Sequence, residues 1–279
     1  MKFSIVTISF NQARFLEQAI RSVIAQDYPD IEYIVVDPGS TDGSRKIIDH
    51  YRDRISKVIY DQDNGPADGL NKGFDIATGD IYGFLNSDDV LLPNTIQKAA
   101  KSFRQRPDLD VISGHSLILD SEGKIVRISH SDHFSLRSTA YGCCVLMQAS
   151  TFFKKDAYHL SGGFNIDNRS NWDGELFVDM ALKGAKFGLI NDVWGGYRIH
   201  ADSITGSKKL DASIQIYREK IFIKIMKRDK QLFDNLLSIV YRLAKHIKNP
   251  SGLYQRLAHG PVYGNVNNKT LLSKITNSR

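Results

Sequence analysis

Short apolar runs alternate with longer amphipathic segments in the first part of the chain, and this order restricts the fold more than any other feature. The runs are residues 4–10, 31–36, 57–60 and 81–85. Their length and composition are typical of buried strands, and the segments between them have helical spacing or end in glycine. Strands that alternate with helices form a mainly parallel open sheet with helices on both faces. We therefore predict an α/β fold.

Polar residues follow these strands where the strands end. Asn11 follows the first strand, Asp37 the second, and Asp88 and Asp89 follow the fourth. Ligands of open α/β sheets bind at the carboxyl ends of the strands, so we predict that these side chains share one binding edge. Simpler roles stay open at this point. Asp88 or Asp89 can cap the helix predicted to open at Pro93, and Asp37 can be a turn residue.

The adjacent carboxylates of Asp88 and Asp89 favour a metal site. Two neighbouring negative charges repel each other, and a hard divalent cation that also binds phosphate oxygens removes this cost. A dinucleotide-binding fold also places an acid at the end of its second strand, but it needs a glycine-rich turn after the first. Residues 10–14 contain no glycine. The adjacent carboxylates therefore predict Mn²⁺ or Mg²⁺. The absence of glycine argues against a pyrophosphate bound by the first turn.

Charge divides the chain into an acidic body and a basic tail. Residues 207–279 contain 15 Lys and Arg against 4 Asp and Glu, whereas residues 1–206 contain 22 against 27. Apolar residues of the tail recur at helical spacing, which predicts a basic helical extension packed on the body. Docking on anionic lipid is an alternative, and the tail can also form a homodimer. We predict no nucleic-acid partner, because no nucleic-acid fold accompanies the charge. The two apolar series are Leu210, Ile214, Tyr217, Ile221 and Ile225, and then Leu232, Leu236, Ile239, Leu243 and Ile247.

The sequence favours a cytoplasmic protein. No segment approaches the ~20 continuous apolar residues that span a bilayer. The N-terminal apolar stretch is short and interrupted by polar residues, which indicates a strand rather than a signal peptide. Cys143 and Cys144 are adjacent and offer no disulfide framework. Peripheral contact with the inner face of the plasma membrane is the second option.

Residues 4–90 contain motifs that resemble the nucleotide-binding half of the family 2 inverting glycosyltransferases, which have the fold called type A. The motifs occur in the family's order and spacing, with Asn71-Lys72-Gly73 and residues 77–80 between them. Ser9-Phe10-Asn11 is similar to the family's Ser/Pro-Tyr-Asn, residues 37–44 are similar to its Asp-Asp-Gly-Ser-Thr-Asp-Gly-Thr, and residues 85–89 resemble its Asp-x-Asp-Asp element.

The resemblance continues more loosely to residue 206. Residues 172–176 resemble an acidic motif whose Asp is the catalytic base, and residues 197–200 resemble an element whose His completes a metal shell. The resemblance implies a catalytic domain over residues 1–206. Its nucleotide-binding half is predicted to be 1–110 and its acceptor-side half 111–206, followed by the extension 207–279.

The resemblance implies metal-dependent, inverting transfer of a sugar from a nucleoside-diphosphate-sugar to a hydroxyl of a glycan or lipid-linked acceptor, in bacterial surface polysaccharide assembly. Asp173 is then the base, and Asp88, Asp89 and His200 hold Mn²⁺ or Mg²⁺. A UDP-sugar is the favoured donor. The predicted donor-binding residues are Ser9, Phe10, Asn11, Asp37, Asp63, Asn71, Lys72, Asn86, Ser87 and Asp88.

Two positions depart from the family pattern. Pro38 replaces the second Asp of the strand-two motif, which in some members contacts uracil, and Asn86 replaces the first Asp of the metal motif. The Gln-x-x-Arg-Trp element of processive synthases is absent, so we predict one addition per encounter. A degenerate, non-catalytic nucleotide or sugar binder is one alternative. A sugar-nucleotide nucleotidyltransferase is another, but it is expected to have a glycine-rich loop after strand one.

Overall fold

The computed structural model describes residues 1–201, 203 and 211–260 of the chain. In chain order the elements are β1 (Phe3–Ile8), α1 (Ala13–Ile24), β2 (Ile31–Val36), α2 (Ser44–His50), β3 (Lys57–Ile59), α3 (Pro66–Asp75), β4 (Ile81–Asn86), β5 (Val90–Leu91), α4 (Thr95–Gln105), β6 (Val111–Leu119), β7 (Ile125–Ser129), α5 (Leu136–Ala140), β8 (Thr151–Lys154), α6 (Lys155–Ser161), α7 (Trp172–Leu182), β9 (Phe187–Arg198), α8 (Asp211–Met226), α9 (Phe233–Lys248) and α10 (Pro250–His259).

The strands form one sheet in the order β3-β2-β1-β4-β8-β6-β9-β5, with β7 paired to β6. The first four strands of this order are parallel. Beyond β4 the sheet is mixed, because β8 runs antiparallel to both β4 and β6, whereas β9 runs parallel to β6. The predicted α/β fold is confirmed, and its parallel strands lie within residues 1–110, for which nucleotide binding stays a prediction.

Helices cover both faces of the sheet, and the alternation of side chains along β1 shows why. Phe3 and Ile5 point into a core that contains the apolar faces of α1 and α4. Val6 points into a second core with residues of α3, α6 and α7. Successive strand residues face opposite sides, so apolar residues on both faces of β1 require a helix layer on each side.

The turn after β4 is not a helix cap. Helix α4 begins at Thr95, and its N-cap residue is Asn94, which has a left-handed backbone conformation with φ of 62°. Asp88 and Asp89 lie several residues earlier, and residues 90–91 form strand β5 between them and the helix. The capping alternative for these two carboxylates is therefore excluded.

The C-terminal helices differ in how they meet the body. Of the first predicted series, Leu210 lies outside the described residues, and Tyr217 and Ile221 of α8 are buried. The second series lies on α9 as predicted, but its five side chains are exposed instead of packed on the body. Residues 207–210 and 261–279 of the predicted extension lie outside the described residues. In the part of the chain that the structure describes, no helix has the length and apolar character needed to cross a bilayer.

Candidate active site

A cleft of about 2060 Å³ lies at the carboxyl ends of the parallel strands. The carboxyl ends of β1, β2 and β4 contribute Ser9, Pro38 and Asn86 to its wall. The start of α7 contributes Asp173, and α8 and α9 line a further side. Of the polar residues predicted to share one edge of the sheet, Asp88 lines this cleft, whereas Asn11, Asp89 and the buried Asp37 do not. The cavity is large enough for a nucleotide-sugar and part of a second substrate.

Two of the predicted metal ligands face each other. Nε2 of His200 lies 3.0 Å from Oδ2 of Asp88, although the two residues are far apart in the sequence. Strand β5 brings them together, because Val90 pairs with Gly196 and Leu91 with Gly195 of β9. The imidazole also packs against Phe15 of α1, with ring centroids 4.7 Å apart. The ring is thus fixed on one side while its Nε2 addresses the carboxylate.

Asp89 lies beneath the site rather than in it. Its Oδ1 accepts the backbone N–H of Arg198 at 2.9 Å, and its Oδ2 accepts from the Asn86 amide at 3.3 Å. Burial and the neighbouring charge of Asp88 raise the pKa of Asp89 well above its usual range. Both of its oxygens already have protein donors, and Asp89 does not line the cleft. The two adjacent carboxylates therefore differ in environment: Asp88 lines the cleft, whereas Asp89 is buried and bonded to Arg198 and Asn86. The sequence alone did not predict this difference.

The Arg198 side chain supports the turn that contains Asp88, a role that the sequence did not predict. The guanidinium is almost fully buried, with 2% of the residue exposed. Its Nε donates to the Asp88 carbonyl at 2.8 Å, and its two terminal nitrogens donate to the Asp120 carbonyl and to Gln18. The signal was present, since Arg198 stands two residues before His200 in the histidine element, but only the tertiary contacts reveal what it does.

Asp173 lies in the first turn of α7 and lines the cleft. Its Oδ1 accepts the backbone N–H of Gly174 at 2.8 Å. Burial raises the pKa of this carboxyl group above its ordinary value. A carboxylate with a raised pKa binds a proton more readily, so Asp173 has the location and the basicity of a general base.

Residues 37–44 shape the strand-end side of the cleft through bonds to the backbone of the turn after β1. Ser40, Asp42 and Ser44 accept the backbone N–H groups of residues 11–13, which precede or begin α1. In return, Oδ1 of Asn11 accepts the N–H of Thr41 at 2.9 Å. These reciprocal bonds tie the turn after β1 to the turn after β2. The motif is therefore a structural clamp between the two turns.

Asp37 is buried within this clamp and keeps one oxygen free. Its Oδ1 accepts from the N–H groups of Gly39 and Ser40 and from Nε of Arg45. Its Oδ2 has no partner among the described residues. The role as a turn residue and the role as a ligand contact are thus compatible, because each uses a different oxygen.

Unpaired buried polar atoms concentrate at the cleft. In the described part of the chain, five buried side-chain polar atoms lack a hydrogen-bond partner. Ser9 Oγ, Asn86 Oδ1 and Trp172 Nε1 belong to residues that line the cleft. A fourth, Asp37 Oδ2, belongs to the residue just before Pro38 and Gly39, which also line it. Buried polar atoms are nearly always paired, so atoms of this kind at one cleft favour a polar ligand.

The other predicted donor-binding residues divide into two groups. Phe10 and Asp63 line the cleft. Phe10 is 60% exposed, and burial raises the pKa of Asp63. Ser87 also lines the cleft. Asn11, Asn71 and Lys72 do not line it.

Asn71 and Lys72 support the loops that surround the cleft. Asn71 is bonded to the backbone of Phe164 in both directions and to the Tyr158 hydroxyl. Lys72 donates to the Gln62 carbonyl. The family motif marks these positions, but the structure gives them contacts within the protein.

Several cleft residues carried no readable motif. Gln148 donates to the Phe84 carbonyl at 2.5 Å and accepts from the Asn86 amide at 3.3 Å, so it orients Asn86 with its Oδ1 unpaired. Arg169 and Arg218 also line the cleft. These side chains come from segments distant in sequence, and no spacing pattern links them to the strand-end motifs.

Known proteins resemble the chain over most of its length. TuaG of Bacillus subtilis, described as a putative teichuronic acid biosynthesis glycosyltransferase, is 27% identical over 235 residues, which cover 80% of this chain and 90% of that protein. Other curated relatives are longer, and the chain spans 40% of the length of one and 35% of another.

Solved structures share the fold at low sequence identity. S. aureus TarS 1–349 in complex with UDP has a TM-score of 0.64 and 17% identity, with 97% of this chain and 75% of that chain covered. The mannosyltransferase PcManGT from Pyrobaculum calidifontis, in complex with GDP-Man and Mn²⁺, has a TM-score of 0.63 and 18% identity, with 99% and 79% covered. These likenesses confirm the type A fold that the motifs implied.

The family is identified by its sequence model, which matches residues 4–160 and therefore more than half of the chain. The matched span contains the strand-end motifs at Ser9, Asp37 and Asp88. Asp173 and His200 follow this span; Asp173 lines the same cleft, and His200 contacts Asp88. Sequence model, fold and site geometry agree, and the chain belongs to glycosyl transferase family 2.

Proposed function

We propose that this protein transfers a single sugar, with inversion, from a nucleoside-diphosphate-sugar to a hydroxyl group of a glycan or lipid-linked acceptor during assembly of a bacterial surface polysaccharide. The observation that carries the proposal is that one cleft combines Asp88, paired with His200, and the basic carboxyl group of Asp173. The description of TuaG supports the polysaccharide context. A cytoplasmic location stays a prediction.

The chemistry assigned to Asp173 is removal of a proton. The acceptor oxygen forms a bond with the anomeric carbon while its proton passes to the Asp173 carboxylate, and the bond to the nucleoside diphosphate breaks on the opposite face of the sugar. The raised pKa of Asp173 favours this proton transfer. A side chain in this role contributes ~10²–10⁴-fold in rate.

The residues present fit a divalent cation. Asp88 Oδ2 and His200 Nε2 are adjacent, and the unpaired Asn86 Oδ1 is a neutral oxygen on the same cleft. Among the described residues no three His, Cys, Asp or Glu side chains form a complete metal cluster, so donor phosphates would have to complete the shell. When bound, Mn²⁺ or Mg²⁺ supplies countercharge for the leaving diphosphate. Asp89 is left out of this shell.

The donor's nucleoside is assigned to the strand-end side of the cleft. Phe10 presents an exposed ring on which a nucleobase can stack, and Oδ2 of Asp37 can accept from a ribose hydroxyl or a base N–H. TarS binds UDP and PcManGT binds GDP-Man with Mn²⁺, which supports a donor of this class. We favour a UDP-sugar. Pro38 stands where some family members have an Asp that contacts uracil, so binding of UDP tests this choice.

A thermal-shift panel tests the donor site. UDP, GDP, dTDP and CDP are each added with Mn²⁺, with Mg²⁺ or with EDTA to the wild type and to Asp88→Ala. A ligand at a hundred times its dissociation constant stabilises the folded state by ~2.7 kcal/mol. We expect one nucleotide to stabilise the wild type only with metal, and to lose this effect in Asp88→Ala. Asp108→Ala, an exposed carboxylate outside the cleft lining, is the matched control and should behave as the wild type.

A non-catalytic nucleotide or sugar binder is the second candidate, favoured by the neutral Asn86 in the metal motif. Both candidates predict nucleotide binding, so turnover separates them. Sugar release or transfer that is present in the wild type and absent in Asp173→Asn supports the enzyme. Metal-dependent nucleotide binding without turnover on any glycan or lipid-linked acceptor supports the binder.

A further inference from the structure

One face of helix α9 is apolar, and none of the described residues covers it. Its side chains recur at intervals of three and four residues, so they form a continuous line along the helix. Between 50% and 91% of each residue is exposed. Contiguous exposed apolar surface on a folded protein marks an interaction site. We call this face the apolar stripe; its residues are Leu232, Phe233, Leu236, Ile239, Val240, Leu243 and Ile247.

The opposite face of α9 fixes the stripe in its outward orientation. Asp234 is fully buried, accepts from the Tyr141 hydroxyl at 2.8 Å and forms an ion pair with Arg228 at 2.7 Å. The rings of Tyr241 and Tyr141 stack with centroids 4.8 Å apart. Lys245 forms an ion pair with Asp132 at 2.8 Å. These contacts bury the polar side of an amphipathic helix, so the apolar side must face away from the body.

The surroundings of the stripe are basic. Residues 211–260 contain 10 Lys and Arg against 4 Asp and Glu. The one acidic residue of α9 is Asp234, which is buried and paired. Arg242 and Lys248 are exposed on the same helix, and neither has an ion pair with a described residue. A helix with an apolar face and basic flanks is suited to an anionic lipid surface.

The stripe continues into the cleft. Ile239 belongs to the stripe and also lines the cleft, together with Asn235, Ser238 and Arg242 of the same helix. On α8, Ile223 is 44% exposed and lines the cleft as well. A surface that covered the stripe would therefore lie against the mouth of the candidate active site.

We propose that the apolar stripe inserts into the interface of an anionic bilayer, so that the cleft opens at the membrane surface towards a lipid-linked acceptor. The 16 residues of α9 extend for ~24 Å, which is shorter than a bilayer core, and the helix therefore lies along the surface instead of crossing it. The choice of acceptor rests on the proposed function. The docking itself does not.

A second copy of the chain is a poorer occupant. A symmetric dimer through the stripe would bring the basic flanks of both copies together, and α9 offers no free carboxylate to neutralise them. Anionic headgroups neutralise these charges while the acyl region receives the apolar side chains. Charge complementarity therefore favours lipid.

Vesicle co-sedimentation of the full chain, without donor or metal, tests the docking. Vesicles are phosphatidylcholine alone or equal parts phosphatidylcholine and phosphatidylglycerol. We expect binding to the mixed vesicles. Partition of Leu236→Asn/Leu243→Asn should be at least tenfold weaker, since each substitution removes one apolar side chain that is buried in the bilayer interface. Lys248→Gln should weaken binding about fivefold on the anionic vesicles only.

The control is Leu160→Asn/Ile166→Asn, which removes two exposed apolar side chains outside the stripe (66% and 46% exposed). It should bind as the wild type does. No binding of the wild type, or equal loss in both double variants, overturns the proposal. Sedimentation without vesicles identifies the rival occupant: a dimer that Leu236→Asn/Leu243→Asn dissociates would assign the stripe to a second copy. Because no donor is present, failure here leaves the thermal-shift test of the donor site unaffected.

Discussion

The two sides of the cleft are built in different ways. On the donor side, side chains stand directly after parallel strands and are held by nearby turns, as the bonds between residues 11–13 and 40–44 show. On the base side, Asp173 opens a helix that is braced from the C-terminal part of the chain. Lys224 of α8 contacts both Glu175 and Asp179 of α7, at 2.8 and 2.7 Å.

Donor binding and proton removal therefore depend on different parts of the chain. The donor-side bonds join turns 29 to 32 residues apart, but the residues of each motif are consecutive, so each motif can be read from a short stretch of sequence. The base side depends on contacts between segments 45 or more residues apart. The comparison predicts that donor binding and turnover can be lost separately.

The largest expected effect is loss of turnover in Asp173→Asn. The amide keeps the size of the side chain but cannot take the acceptor's proton, so we expect transfer to fall by ~10²–10⁴-fold. Nucleotide-dependent thermal stabilisation should stay at the wild-type level, because Asp173 lies on the base side. Loss of nucleotide binding in this variant would contradict the separation of the two sides.

The pH dependence of transfer sharpens the same point. Only the deprotonated Asp173 can act as a base, and burial raises its pKa. The rate constant kcat/KM should therefore fall with decreasing pH at a higher pH than an ordinary carboxylate would give. Nucleotide binding, followed by thermal shift over the same range, should not show this inflection. Coincident profiles would indicate that another group controls both.

A smaller effect is expected from Lys224→Met on the base side. The substitution leaves the buried Glu175 without its cation, which should cost ~1–3 kcal/mol of unfolding free energy. It should also lower kcat with little change in donor affinity, because α7 carries Asp173. Lys227→Met is the matched control, since Lys227 is exposed near the end of the same helix. Denaturant unfolding and steady-state kinetics measure both effects.

Glu32→Gln should affect the donor half through stability alone. Burial by itself would raise the pKa of Glu32, but bonds from Ser4, Thr78 and Lys57 outweigh it and lower the pKa to about 2. The unfolded-state pKa is higher, so this stabilisation is present above about pH 4.5 and is lost as the pH falls towards 2. We expect a cost of ~1–3 kcal/mol at pH 7 that shrinks at pH 3. A pH-independent cost would show that the charge of Glu32 is not responsible.

Much of the donor side could be predicted from the sequence. The apolar runs indicated the strands, and Ser9, Asn86 and Asp88 at their carboxyl ends line one cleft because parallel strands end at the same edge. Asn11 and Asp37 also follow strands but do not line the cleft. The prediction that Asp88 and Asp89 act together has less support. Asp89 is occupied by Arg198 and Asn86, and that depends on the pairing of β5 with β9. No local pattern reveals which of two adjacent carboxylates faces a cavity.

The C-terminal helices show the same limit. Both apolar series have helical spacing, and α8 buries Tyr217 and Ile221 as expected. On α9 the body instead contacts Asp234, Tyr241 and Lys245, and the apolar residues face outwards. Periodicity identifies the two faces of a helix, but the partner of each face depends on the rest of the fold.

The order of strands and helices, the family and the strand-end positions follow from the sequence alone, because each depends on runs of neighbouring residues. The folded structure brings His200 to Asp88, turns Asp89 inward and leaves the stripe on α9 uncovered by the described residues. These outcomes depend on strand pairing and on contacts between distant segments. Their free energies come from burial and from ion pairs that exist only after the chain has folded.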